Sequence, residues 1–452
     1  MNNMQYDVII IGFGKAGKTL AGKFGKAGKS VALIERDKKM YGGTCINVGC
    51  IPSKSLIHSA AAADPKAAPQ IKSDAYRAAI DEKRRLTAAL RQKNYDKLAN
   101  LPTVTIYDGE ARFIGPRQVE VATENETLQL TGTQVFINTG SVSRIPPIAG
   151  VRDTEGVYTS TGLMELETFP ERLVIIGGGY IGLEFASMYS GFGSQVTVLQ
   201  DGETFLPKED RDIAQQIQTI LEARGVEFRL GAKIQQIETG PAVAFDWQGT
   251  SHRLAADAVL VATGRVPNTA GLNCEAAGVK LTPRGAIQVD AQLRTTAPGV
   301  WALGDVTGGL QHTYISLDDS RVVWSQLTGG KTDTTEARSN VPYSVFLATP
   351  YSRVGMNEQE AAAAGHSVRI SKLPAAAIPK AQVLKQPAGL LKAVIDAETG
   401  KILGAMLLCE ESYEMINLIK LAMDLDVDYT VLRDRIYTHP TMTEALNDLF
   451  DL

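Results

Sequence analysis

Tyr6-Asp7-Val8-Ile9-Ile10-Ile11-Gly12-Phe13-Gly14-Lys15-Ala16-Gly17 reads as a buried parallel strand running straight into a glycine turn. A helical run from Lys18 to about Lys26 follows. Gly28 breaks it, and Ser30-Val31-Ala32-Leu33-Ile34 forms the next strand, ending in Glu35. The same order returns later in the chain. Arg172-Leu173-Val174-Ile175-Ile176 is a strand, Gly177-Gly178-Gly179-Tyr180-Ile181-Gly182 a glycine turn, and Leu183 to Tyr189 a helix. Gln195-Val196-Thr197-Val198-Leu199 is the closing strand, ending in Gln200. Gly12, Gly14, Gly17 and Glu35 map onto Gly177, Gly179, Gly182 and Gln200 at one constant offset.

Each glycine has a physical reason. The first permits the tight turn, the second lets a pyrophosphate approach the backbone, and the third lets helix and strand pack closely. The phosphates then sit at a helix N-terminus, where free N–H groups favour anions. Two such units in one register predict two dinucleotide sites. Glu35 suits the ribose hydroxyls of FAD. Gln200 is neutral and Asp201 follows it, with no arginine before Arg211, so a 2′-phosphate cage is not evident. That favours NADH over NADPH, unless Lys208 or Arg211 folds back.

The chain has 452 residues, 44% hydrophobic and 21% charged, enough for large cores and about three domains. Its net charge of −4, with no long basic run, speaks against nucleic acid or an anionic membrane as partner. No apolar run approaches the ~20 residues of a membrane span, and no leader is visible, so a cytoplasmic location is expected.

Between the two units stand Gly42-Gly43-Thr44-Cys45-Ile46-Asn47-Val48-Gly49-Cys50-Ile51-Pro52-Ser53-Lys54. Only four cysteines occur in the chain, so a close pair in a reducing cytosol reads as catalytic or metal-binding. The spacing fits a first helical turn, with helix from Ser53 to Ala63, better than a zinc knuckle, which needs two further ligands that are not visible. No metal site is expected. A helix N-terminus and the nearby Lys54 lower a thiol pKa and favour the nucleophilic thiolate. The pair then cycles between disulfide and dithiol. Thr438-His439-Pro440-Thr441-Met442-Thr443-Glu444 offers a proton carrier, since an imidazole titrates near neutral pH and Glu444 can hold its tautomer. Cys274 reads as a loop residue and Cys409 as a small core residue. Asp318 and Asp319 read as a helix cap or solvated face, and His58 as a packed or solvated histidine.

Together these residues, with Val261-Ala262-Thr263-Gly264 and Ala302-Leu303-Gly304-Asp305, resemble the flavoprotein disulfide reductases, the class I pyridine nucleotide-disulfide oxidoreductases, along the whole chain. The resemblance implies roles by position. Cys45 is the interchange thiol that meets substrate, and Cys50 the thiol beside the flavin. Lys54 and Glu184 are the ion pair near flavin N5 and the nicotinamide. Gly43, Thr44 and Ala111 contact FAD, and Asp305 binds its ribityl or phosphate portion. Gly264 joins the cofactor-binding set. His439 and Glu444 form a dyad supplied by the second subunit of a homodimer.

Gly12 to Ala21, Met40 to Asn47, Gly308 to Asp319 and Glu414 to Asn417 narrow the resemblance to the reactive chlorine resistance protein A branch. That branch implies bacterial defence against hypohalous stress, reduction of hypothiocyanous acid by a nicotinamide, and a link to Cu(II) reduction. On this reading Cys45 attacks the oxidant, thiocyanate leaves, and Cys50 resolves a sulfenic acid to the disulfide while His439 protonates the departing hydroxide equivalent. Alternatives are a dihydrolipoamide dehydrogenase and a Cu(II) or metal-ion reductase using the thiols, His58 or Met415. Leu446 to Leu452 carry no further cysteine pair, which argues against Hg(II). The expected fold is α/β, with two Rossmann-like domains plus an α+β dimerisation domain. Residues 1–150 and 268–333 make the FAD domain, 151–267 the NAD(P) domain and 338–452 the interface domain. Strands are expected at 341–346, 390–395 and 401–408.

Overall fold

A computed structural model of the protein describes residues 3–330 and 334–452. The domain ends expected at residues 1 and 333 lie outside the described residues. The chain forms two compact units. One comprises Met1–Ser55, Ile80–Arg144 and Gly264–Arg338, the other Leu56–Ala79, Ile145–Thr263 and Ser339–Leu452.

In the first unit β1 (Asn3–Ile11) leads into α1 (Lys15–Lys26), which starts at Lys15 rather than at the expected Lys18, and then β2 (Val31–Glu35). Helices α2 (Thr44–Asn47), α3 (Cys50–Ala62) and α4 (Pro69–Ala99) follow, then β3 (Val104–Gly115), β4 (Gln118–Thr123) and β5 (Thr127–Ile137). β3, β2, β1, β5 and a last strand, Val300–Ala302, are parallel neighbours in that order. β4 runs antiparallel and joins the far halves of β3 and β5. β1 explains itself by side-chain alternation: Val8 and Ile10 pack with Leu20 and Phe24 of α1, while Ile9 and Ile11 pack with Phe113 and Val119 on the other face. Burial on both faces is why the strand is continuously apolar.

Where β5 ends, the buried Asn138 gathers the unit's loops. Its Oδ1 accepts the Gly17 N–H at 2.9 Å, and its Nδ2 donates to the Leu303 carbonyl at 2.7 Å. Its own N–H bonds to the Ile11 carbonyl at 2.8 Å, tying β5 to the end of β1.

The second unit repeats the plan. Parallel strands run Val226–Leu230, Gln195–Gln200, Arg172–Ile176, Ala258–Val261 and Val157–Thr159, with helix Tyr180–Phe192 after the glycine turn. A three-stranded antiparallel sheet (Lys233–Glu238, Ala242–Trp247, Thr250–Ala255) accompanies it. The C-terminal part is a five-stranded antiparallel sheet in the order Tyr343–Val345, Tyr351–Gly355, Ile402–Leu408, Leu390–Asp396, Val368–Pro374. The expected strands lie within or across three of these; Tyr351–Gly355 and Val368–Pro374 were not expected. The polar Ser352 and Arg353, both buried in Tyr351–Gly355, break the apolar pattern that marks a strand. Glu209 is fully buried here, accepting the hydroxyls of Tyr180, Tyr343 and Tyr351 and pairing with Arg353 at 3.3 Å.

Replacing Asn138 by Leu strands the Gly17 N–H and the Leu303 carbonyl. Unsatisfied buried groups cost roughly 1–3 kcal/mol each. Asn138→Leu is therefore expected to lower stability by about 3 kcal/mol in urea denaturation; an unchanged midpoint contradicts the stapling role.

Candidate active site

The cysteine pair does not share one helical turn. Cys45 lies on α2 and Cys50 opens α3, with Val48 and Gly49 breaking the helix between them. α3 thus begins earlier than the expected Ser53. Cys45 is half-buried and Cys50 exposed, and both are thiols. Thr313, the first residue of helix Thr313–Leu327, brings its hydroxyl to 3.8 Å from Cys50 Sγ.

The two thiols differ sharply. A hydrogen bond from Cys50 pulls Cys45 down to about 6 against the cost of burial, helped by Thr313 and by the charges of Lys18 and Lys54. The same bond holds Cys50 well above the ordinary thiol range. The pair titrates as one system in which the first thiolate resides on Cys45.

The turn carrying Cys45 is held from every side. The Asn47 amide donates to the carbonyls of Tyr41 and Gly43, each at 2.9 Å. Lys18 Nζ donates to the carbonyl of Gly42, between them, at 3.0 Å. Arg91 in turn donates to Asn47 Oδ1 at 2.8 Å. Gly43 has φ +85°, and a Cβ there would stand 2.7 Å from Cα of Gly14, so only glycine lets the redox turn lie against the phosphate turn.

The other expected residues of the first unit are spread over its turns, strands and helices. Gly12, Gly14 and Gly17 form the turn before α1, with Gly17 packed so that a Cβ would meet the Gly12 carbonyl at 2.5 Å. Glu35 ends β2 and accepts the Phe13 N–H at 3.0 Å; burial raises its pKa. Thr44 begins α2. Ala111 lies on β3 with its side chain in the core. Asp305 accepts the Ser141 hydroxyl at 2.7 Å, and Arg265 donates to that same hydroxyl at 2.8 Å. Lys54 lies on α3, and Gly264 directly precedes Arg265.

In the second unit Gly177, Gly179 and Gly182 make the matching turn, where a Cβ on Gly182 would stand 2.0 Å from the Gly177 carbonyl. Gln200 donates to the carbonyls of Gly202 and Thr204 at 2.9 and 3.0 Å, so its amide N–H groups serve its own loop. Arg211 does not fold back: its guanidinium donates to the carbonyls of Phe205, Leu206 and Glu209. Glu184 is buried and accepts the Phe346 N–H at 2.9 Å. His439 Nδ1 lies 2.7 Å from Glu444 Oε2, on a ring whose side chain is 68% exposed. Glu444 is held by the Thr441 N–H, and the His439 bond lowers its pKa. A carboxylate at Nδ1 assigns the proton there and leaves Nε2 as the basic nitrogen.

Several expectations change. Cys274 is no loop residue: it is buried in the short turn Cys274–Ala277 under β3. Asp319 is not solvated: it is buried, accepts the Gly304 N–H at 2.6 Å and pairs with Arg338. Met415 is buried with its sulfur 3.9 Å from Cys409, away from any surface role, while His58 is exposed. Among the described residues no group of three or more His, Cys, Asp or Glu is arranged to hold a metal, and no helix is long and apolar enough to cross a membrane. Sequence reasoning missed Lys18, Asn138, Thr313 and Arg265. Lys18 carried a signal, a cation one residue after the last glycine of the turn.

The chain matches the pyridine nucleotide-disulphide oxidoreductase family over residues 6–320 and that family's dimerisation domain over residues 341–450. The chain belongs to the pyridine nucleotide-disulphide oxidoreductases. Among its oxidoreductase relatives, the probable pyridine nucleotide-disulfide oxidoreductase RclA of Escherichia coli K12 is 50% identical, with 99% of each chain covered. The dihydrolipoyl dehydrogenase of Thermus scotoductus is 35% identical over 98% of this chain and 96% of its own. The Cu(II) complex of HOCl-induced flavoprotein disulfide reductase RclA from Escherichia coli matches with a TM-score of 0.93 and 49% identity, covering 100% of this chain and 99% of that one. Membership implies FAD and a pyridine nucleotide. The first unit fits FAD: its glycine turn has no room for a Cβ, a carboxylate ends β2, and the redox turn abuts the phosphate turn.

At pH 7 iodoacetamide is expected to label Cys45 of the reduced protein first, with Cys50 slower and the buried Cys274 and Cys409 silent. Mass mapping of the alkylated peptides checks this. Faster labelling of Cys50 than Cys45 contradicts the assigned asymmetry.

Proposed function

We propose that this oxidoreductase uses NADH to reduce a small-molecule oxidant, hypothiocyanous acid, at Cys45. The observation that carries the reading is the asymmetry of the thiol pair, a thiolate-prone Cys45 beside a Cys50 that keeps its proton. Half identity to RclA, whose solved structure is described as HOCl-induced, supports the class of oxidant.

Gly12, Gly14, Gly17, Glu35, Gly43, Thr44, Lys54, Ala111 and Asp305 would hold FAD. Gly177, Gly179, Gly182, Gln200, Glu184 and Gly264 serve the nicotinamide side, within domains spanning 1–150 with 268–333 and 151–267. When bound, FAD supplies the two-electron link between a nicotinamide and the Cys45–Cys50 disulfide. NADH is favoured because Gln200 is neutral and Arg211 is committed to backbone carbonyls.

The thiols do the rest. Cys45 thiolate attacks the electrophilic sulfur of HO–SCN, forming a sulfur–sulfur bond and expelling hydroxide. Cys50 then gives up its proton and attacks Cys45, the disulfide forms and thiocyanate leaves. Hydrolysis of the first adduct gives the sulfenic acid and thiocyanate, and that acid closes to the same disulfide with loss of water. Each turnover consumes one thiolate, one thiol and one oxidant, and yields one disulfide, thiocyanate and water. His439 of a second copy passes the Cys50 proton to the hydroxide, and Glu444 holds its ring. The 338–452 segment forms the homodimer, which covers the exposed Leu421, Leu425 and Ile436. The location is cytoplasmic, where thiols stay reduced.

A second reading is Cu(II) reduction at the same thiols, favoured by the Cu(II) complex of RclA. Loss of Cu(II) binding on alkylation of Cys45 and Cys50 separates thiol ligation from any other site.

NADH oxidation with hypothiocyanous acid is expected to exceed that with lipoamide, glutathione disulfide, Hg(II) or Cu(II), and to vanish in Cys45→Ser. His439→Gln is expected to lose about 10²–10⁴-fold in kcat. Undiminished turnover in Cys45→Ser rejects the mechanism, and dihydrolipoamide-dependent NAD reduction as the fastest reaction rejects the substrate.

A further inference from the structure

Lys18 occupies an unusual position. It lies on α1 directly after Gly17, the last glycine of the first turn. A lysine there normally extends into solvent, but this one is half-buried and turned onto the redox turn. Its ammonium donates to the Gly42 carbonyl at 3.0 Å and to Asn94 Oδ1 of α4 at 2.8 Å. Asn94 is itself anchored by donating to the Leu90 carbonyl at 2.7 Å. Both acceptors are neutral, and among the described residues no carboxylate pairs with Lys18.

A half-buried ammonium without a carboxylate needs a counter-charge. The protein groups that act electrostatically on it are Lys15 of its own helix, Lys97 of α4 and Cys45 of α2, and of these only Cys45 can be negative. The charged and titratable groups facing Cys45 are Lys18 of α1 together with Cys50 and Lys54 of α3, and Thr313 adds a hydroxyl from its helix. Cys50 in turn faces Arg265 and Tyr314. The cation that also grips the backbone ahead of Cys45 is Lys18.

We propose that Lys18 is a positioning residue for the interchange thiol: it fixes the Gly42 carbonyl and serves as counter-ion to the Cys45 thiolate, linking the FAD phosphate turn to the reactive sulfur. It acts through the redox turn and the charge of Cys45, and it carries no proton to substrate. The inference rests on Cys45 being the reactive thiol. Burial brings Lys18 itself down to about 8, so it still carries its charge at the pH where Cys45 ionises.

The test is the pH profile of Cys45 alkylation by iodoacetamide in the reduced holoenzyme, read by peptide mass mapping, with FAD absorbance confirming the holoenzyme. The wild-type profile is expected to show one inflection, near 6, as Cys45 ionises beside a charged Lys18. K18R keeps a permanent charge, so the inflection stays. K18M removes the charge; its inflection moves up and the rate at pH 6 falls about 3- to 10-fold. N94A leaves the charge in place and falls by less than K18M. A wild-type profile with no inflection near 6, or a K18R inflection moved well above it, overturns the proposal, even if K18M loses FAD. An unshifted inflection in K18M overturns it as well. No oxidant enters the assay, so a wrong substrate leaves the result untouched, whereas a wrong choice of reactive thiol shows as slow Cys45 labelling in the wild type.

Discussion

The first unit hangs on one buried carboxamide. Asn138 receives the Gly17 N–H and gives a side-chain N–H to the Leu303 carbonyl, while its backbone N–H closes on Ile11. A phosphate turn, the end of the central strand and the segment leading to Asp305 are distant in sequence. One side chain with a donor and an acceptor sets their spacing. In a buried place the geometry is enforced by the penalty for leaving either group unpaired. Asp319 extends the same logic one residue further, taking the Gly304 N–H beside Leu303 and handing its charge to Arg338.

On that frame the redox turn is held tightly. Three successive carbonyls, of Tyr41, Gly42 and Gly43, each accept a side-chain donor, from Asn47 and Lys18. Such a turn cannot relax around Cys45, so differences between the two sulfurs come from fixed surroundings. Cys45 has Lys18 and Lys54 near it and receives the Cys50 hydrogen bond. Cys50 donates that bond and stays protonated. One sulfur is thus prepared to attack and the other to wait.

Much of this was legible in the chain, for definite reasons. Glycine turns are forced by close backbone approach, so Gly12–Gly17 and Gly177–Gly182 stand out in any reading, and the buried strands before them are continuous apolar runs. The cysteine pair is conspicuous because cysteines are few. Asn138, Lys18 and Asp319 were not legible in their roles, since their partners lie on other elements and an isolated Asn, Lys or Asp reads as surface. The helix break between Cys45 and Cys50 was hidden because Val48-Gly49 looks like an ordinary helical interior with one weak residue. Strands Tyr351–Gly355 and Val368–Pro374 escaped notice because Ser352, Arg353, Arg369 and Lys372 interrupt their apolar pattern.

Glu209 has a consequence for how such chains can be recombined. Its buried carboxylate draws Tyr180 from the start of the helix behind the second glycine turn, and Tyr343, Tyr351 and Arg353 from the C-terminal sheet. The second glycine turn and the terminal sheet look like separate modules by sequence. They nevertheless share one acceptor that neither can satisfy alone. A chimera that takes one of them from a distant relative inherits half of the cluster and buries the remainder unpaired. The two are therefore a single unit of inheritance, and substitutions in one are constrained by the hydroxyls of the other.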